Sequence, residues 1–125
     1  SIAMCVSEWL STQDTYARED ITVLGVDISE RILTKARKGI YTDLEIGTHV
    51  PEEFKSQYFA RKDEYHWEVA SEIREMGHFS PLNLTESIGH LGKFDTIFCR
   101  NVIIYFPIEH ILFFKISNFF FMNIF

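Results

Sequence analysis

The chain has 125 residues, 46% hydrophobic and 24% charged, a composition that fits one globular domain and excludes a disordered or fibrous chain. Twelve Lys and Arg against 18 Asp and Glu leave a net charge of −6, which repels phosphate backbones and argues against nucleic acid as a partner. A complete doubly wound α/β domain usually needs more chain than this, so such a fold is expected to be present only in part.

In chain order, residues 1–13 carry Ile2, Met4, Cys5, Val6, Trp9 and Leu10 at roughly helical spacing and read as a helix. Ile21 to Ile28 (ITVLGVDI) is an apolar run rich in β-branched residues, the pattern of a parallel strand covered on both faces. Ser29 then offers an N-cap, Ile32, Leu33 and Ala36 an apolar face, Lys35, Arg37 and Lys38 a basic last turn, and Gly39 a stop. Pro51 opens a second amphipathic stretch, PEEFKSQYFARK, which places Phe54, Tyr58 and Phe59 together at helical spacing.

Tyr65 to Val69 suits a short antiparallel strand and Ser71 to Met76 one or two helical turns before Gly77. His78 to Leu84 and Phe94 to Cys99 read as two more strands, the second closed abruptly by Arg100 and Asn101. From Phe106 onward the composition becomes Phe-rich. A span of about 20 apolar residues would be needed to cross a membrane, and Pro107, Glu109, His110, Lys115 and Asn118 interrupt this one, so an amphipathic helix from Pro107 is expected rather than membrane insertion.

Cys5 and Cys99 lie in apolar runs without a CxxC pair or a companion His, which predicts buried, reduced thiols in a cytoplasmic protein. No basic flank precedes the first apolar residues, so no signal peptide is expected. The five His residues are dispersed and no metal site is expected. Phosphate-loop, GxGxxG, HExxH and GxSxG motifs are absent, leaving kinase-like, metallopeptidase and hydrolase chemistry without a foothold.

Ligands of open parallel sheets bind beyond the carboxyl ends of the strands, which directs attention to the polar residues that cut off apolar runs. Asp27 ends the first run, and its two carboxylate oxygens could accept from both hydroxyls of a ribose or could cap the helix that follows. Asn83 could read an adenine edge or simply close a turn. Arg100, a cation between TIFC and VIIYF, needs solvent, a ligand or an anion to escape unpaired burial. Tyr105 could aim its hydroxyl into the same cleft or pack as a core aromatic.

The strings GVDISERILTKARKGIY, PEEFKSQYFARK, LNL and GKFDTIFCRNVIIYF, in this order and spacing, resemble the CheR-type chemotaxis-receptor glutamate methyltransferases. The resemblance covers residues 1–106 and leaves 107–125 as a divergent Phe-rich helix or tail. It implies an α/β, Rossmann-like methyltransferase sheet, partial here, with a small antiparallel β-subdomain inserted at about residues 58–79 that helps engage the receptor. It also implies S-adenosyl-L-methionine as cofactor and the cytoplasmic domains of chemotaxis receptors as substrates, methylated on glutamate side chains.

Carried over by motif, Asp27 would hold the ribose and Asn83 and Leu84 would line the adenine end. Arg100 and Asn101 would contact the cofactor, and Tyr105 would lie beside the transferred methyl group, with Arg100 and Tyr105 orienting and polarising the reactants. The Gly-rich loop that cradles the methionine part in such proteins, the strand before it and an N-terminal helical domain have no counterpart in this sequence. At the other end such proteins continue through a helix to a Leu-x-Pro-Gly-Gly turn and further strands, where this sequence becomes Phe-rich, so the resemblance implies a chain truncated at both ends. Two other readings stay open: a non-catalytic binding module or remnant, and a related methyltransferase with another substrate. The oligomeric state is not legible.

Overall fold

A computed structural model describes residues 1–47, 50–86, 89–98 and 121–122. They divide into two compact units, Ser1–Leu82 and Asn83–Phe125.

The first unit opens with helix α1 (Ile2–Ser11), whose inward stripe is Ala3, Met4, Val6 and Leu10. Cys5, expected to be buried, is exposed, because it lies with Ile2 and Trp9 along the opposite face of the helix at three- and four-residue spacing. The Trp9 ring folds instead against Tyr16, 5.7 Å between centroids. After a turn of 3₁₀ helix at Arg18–Asp20 the chain enters strand β1 (Val23–Asp27).

Helix α2 (Glu30–Lys38) follows with Ser29 at its N-cap, Lys35, Arg37 and Lys38 in its last turn and Gly39 in the left-handed conformation at φ 64°. Leu33 is its buried anchor. Gly39 is required twice over. Its φ disfavours any side chain, and a Cβ there would lie 2.6 Å from Cδ of Arg74.

Three short strands build an antiparallel sheet in the order β2–β4–β3: β2 (Ile40–Thr42), β3 (Phe59–Arg61) and β4 (His66–Val69). Its first strand comes from just beyond Gly39, ahead of the 58–79 segment named by the resemblance. Between β2 and β3 lie the short helix α3 (Asp43–Ile46) and helix α4 (Glu52–Tyr58). Thr42 and Glu45 cap α3 reciprocally: the Thr42 amide donates to Oε2 of Glu45, and the Glu45 amide to the Thr42 hydroxyl.

Helix α4 stops at Tyr58, so Phe59 is not on its face as the spacing predicts. Phe59 turns extended, φ −128°, and pairs with Val69. Sheet pairing outweighs the local helical pattern.

Helix α5 (Ser71–Glu75) leads into β5 (Gly77–Pro81), which pairs in parallel with β1, from Val23 opposite Gly77 to Asp27 opposite Pro81. Strand β1 is half-buried throughout and β5 exposes His78 and Pro81, so the pair is not covered on both faces. The Phe79 ring lies over Gly25, where a Cβ would come within 2.8 Å of it. The core of this unit is Ala3, Met4, Tyr58, Val69, Ile73 and Met76, with Tyr58 only 1% exposed. Its phenol donates to Oε1 of Glu8 at 2.6 Å, tying α4 to α1. Burial first, and that hydrogen bond second, push the phenol above its ordinary pKa.

In the second unit, β6 (Ile97–Phe98) pairs in parallel with β7 (Phe121–Met122). A parallel pair requires a crossover connection of a dozen or more residues, and residues 99–120 lie between these two strands. The Phe-rich end of the chain thus contributes a strand. The helix expected from Pro107 falls outside the described residues. No helix among the described residues is long and apolar enough to cross a membrane.

Candidate functional site

The β1–α2 junction is where a parallel sheet would hold a ligand, and its geometry follows from the sequence. Apolar β1 runs out at Asp27, the carbonyl of Asp27 accepts from the Leu82 amide at 3.1 Å, and the chain turns into α2 within three residues. The turn is held by Asp27 itself, whose Oδ1 accepts from the Ser29 amide at 2.7 Å. Both roles weighed for Asp27 are compatible with this arrangement. One oxygen braces the turn, and Oδ2 has no partner among the described residues.

Ile28, assigned by sequence to the buried strand, is 74% exposed beside that carboxylate. Ile32, one turn into α2, is 43% exposed. An ionised carboxylate oxygen without a partner among the described residues can accept from a diol such as that of a ribose. The sequence did carry a signal for Ile28, since the strand has to end at the acid that turns the chain.

Asn83 spends its amide locally. Its Oδ1 accepts from the Thr85 amide at 3.1 Å and the Thr85 hydroxyl at 2.8 Å, and its Nδ2 donates to Glu86 at 3.0 Å. This is the turn-closing arrangement, with both polar ends of the side chain engaged. Leu84 follows within the same turn, half-buried. Arg100, Asn101 and Tyr105 lie outside the described residues.

A second polar constellation, which sequence reasoning missed, sits on the antiparallel sheet. Oδ1 of Asp43 accepts from Nη1 of Arg61 and from Nε1 of Trp67, both at 2.6 Å. The ammonium of Lys55 lies 4.6 Å and the guanidinium of Arg61 4.8 Å from the Trp67 ring centroid. The Trp67 hydrogen bond, then the one from Arg61, hold the Asp43 carboxyl below its usual pKa. Four residues far apart in sequence meet because Arg61 and Trp67 are register partners across β3 and β4, while Asp43 directly follows β2. The only advance signal was the alternation of polar and aromatic residues in two short runs.

Among the described residues no group of three or more His, Cys, Asp or Glu could hold a metal ion.

Several known proteins are similar to this chain. The chain is 37% identical over 109 residues to chemotaxis protein methyltransferase 1 of Pseudomonas aeruginosa, covering 87% of this chain and 40% of that protein. It is 35% identical over 109 residues to chemotaxis protein methyltransferase Cher2 of Pseudomonas putida, again 87% and 40%. With the chemotaxis protein methyltransferase of Escherichia coli the identity is 38% over 110 residues, 85% of this chain and 37% of the relative. The chain thus spans about two fifths of the length of these relatives. Residues 1–110 match the family described as CheR methyltransferase, SAM binding domain, and with its parallel α/β pair and small antiparallel sheet the chain belongs to that family.

Proposed function

We propose that the chain is the cofactor-binding portion of a methyltransferase that uses S-adenosyl-L-methionine to esterify glutamate side chains on the cytoplasmic domains of chemotaxis receptors. The observation that carries this reading is the family match over residues 1–110, with Asp27 at the carboxyl end of β1 keeping one oxygen open beside exposed Ile28.

The donor set fits an adenosyl group. Asp27 offers Oδ2 to ribose hydroxyls as an ionised acceptor, while its Oδ1 keeps the turn rigid. Ile28 offers apolar surface to the base. Leu84 would border the adenine end; the Asn83 side chain would serve there by shaping the turn rather than by reading the base, since its amide is already engaged. Arg100, Asn101 and Tyr105 fall within the matched residues and take the roles the family resemblance gives them: Arg100 and Asn101 toward the cofactor, Arg100 and Tyr105 orienting and polarising the acceptor.

When bound, the cofactor supplies a methyl group on a sulfonium. A glutamate acceptor is already ionised at neutral pH, so the residues of the chain need not remove a proton. Their work is alignment of the attacking oxygen with the methyl carbon and exclusion of water, which makes positioning the main source of rate.

The test is transfer of labelled methyl from S-adenosyl-L-methionine to receptor cytoplasmic fragments by the protein, read as base-labile label. Base-labile incorporation that disappears when the acceptor glutamates are changed to glutamine is expected; incorporation that resists base would refute ester formation. A second reading, a non-catalytic receptor-binding module, draws support from the antiparallel sheet, across whose strands the Asp43–Trp67–Arg61 cluster is assembled. Receptor binding without label would favour it.

A further inference from the structure

We infer that Arg37 closes the outer edge of β5 against pairing with another strand, a second copy of this chain above all. Hydrogen-bond direction fixes which side of β5 is open. The Val23 amide donates to the Met76 carbonyl at 3.1 Å, and the Leu82 amide donates to the Asp27 carbonyl at 3.1 Å. In a parallel ladder the N–H and C=O of one residue point to the same side and alternate along the strand. Met76, His78, Ser80 and Leu82 therefore face β1, and Gly77, Phe79 and Pro81 turn their polar backbone groups the other way. No strand among the described residues pairs with that side.

An open edge of this kind is a template for intermolecular pairing. Two of its three outward stations are blocked. Pro81 has no N–H to donate. The Phe79 carbonyl is taken by Nη2 of Arg37, which reaches over from α2 to donate at 2.9 Å. The guanidinium is held in place by its other end, since Nη1 donates to Oε1 of Glu30 at 2.5 Å, two turns earlier on the same helix. An incoming strand would have to break the bond to Phe79 and set its own backbone against a guanidinium. With Arg37 gone, Gly77 and Phe79 together offer a run of donors and acceptors long enough to seed pairing.

The experiment compares Arg37→Ala with the unmodified chain by sedimentation velocity over a range of concentrations, with circular dichroism to verify folding. The average mass of the variant should rise with concentration to about twice that of the unmodified chain, as pairing of two copies about a twofold axis requires. Arg37→Met, which keeps the aliphatic stem over the sheet and removes only the donors, should behave likewise and covers the case in which the alanine variant does not fold. Glu30→Gln keeps the bond to Phe79 and should leave the mass unchanged. In the associated variant the amides of Gly77 and Phe79 should exchange with solvent more slowly than in the unmodified chain. A folded Arg37→Met chain of unchanged mass, or one whose association leaves those two amides unprotected, would overturn the inference.

Discussion

Replacing Gly39 with alanine tests how α2 is joined to the antiparallel sheet. Gly39 sits at φ 64°, where a Cβ costs about 1 kcal/mol in backbone strain. The new methyl would also stand 2.6 Å from Cδ and 3.1 Å from Cγ of Arg74, so that side chain must move. Arg74 donates to the Lys38 carbonyl at 3.3 Å and pairs with Glu68 on β4 at 3.3 Å. Losing both partly exposed contacts adds about 1 kcal/mol. The sum, roughly 2 kcal/mol, should appear as a lower urea midpoint with unchanged slope. Because part of the penalty is a clash with one named side chain, the double variant Gly39→Ala/Arg74→Ala should lose less than the sum of its singles, by about 1 kcal/mol. A loss below about 0.5 kcal/mol for Gly39→Ala, or strict additivity with Arg74→Ala, would refute this account of the joint.

Other outcomes follow from the same contacts. Gly25→Ala should destabilise by about 1–3 kcal/mol in chemical denaturation, because its methyl would sit 2.8 Å from the Phe79 ring. Tyr58→Phe removes the 2.6 Å bond to Glu8 while keeping the ring in the core, and should lower stability by about 1.5 kcal/mol. Glu45 is held down to about 2, against an ordinary 4.5, chiefly by the Lys35 ammonium and then by the Thr42 amide. Its folded-state pKa is depressed, so its stabilisation is fully present above pH 4.5 and is lost as pH falls toward about 2. Between those limits the urea midpoint of Glu45→Gln should change less with pH than that of the unmodified chain.

The β1–α2 unit was the most legible part of the sequence. An apolar run, an acid at its end, Ser29 at the N-cap position and a terminal glycine are all local signals, and β1 and α2 form there, although β1 is only Val23–Asp27 and Ser29 makes no side-chain capping bond. The antiparallel sheet was harder to read because its strands are only three or four residues long, too short for alternation to separate from noise. Phe59 shows the same limit from the other side: its local pattern is helical, and a partner ten residues away, Val69, decides its conformation. In the first helix the apolar spacing locates the element but not its buried face, since Ile2 and Trp9 are exposed while the smaller Ala3 is inside. At the candidate site, Asp27 is legible as a strand-ending acid, and the same acid marks Ile28 as lying beyond the strand although its apolar side chain extends the run. The local engagement of Asn83 depends on Thr85 and Glu86, short-range partners that a turn reading admitted without singling out.

The central claim is that the carboxyl end of β1 receives the adenosyl group. Titrating S-adenosyl-L-methionine into the isotope-labelled chain while following backbone amide resonances tests it most directly. Saturable shifts are expected at Ile28 and Ser29, weakened about tenfold or more by Asp27→Asn, which replaces an ionised acceptor with a neutral one. Resonances there that stay fixed at saturating cofactor, or shift equally in Asp27→Asn, would contradict it.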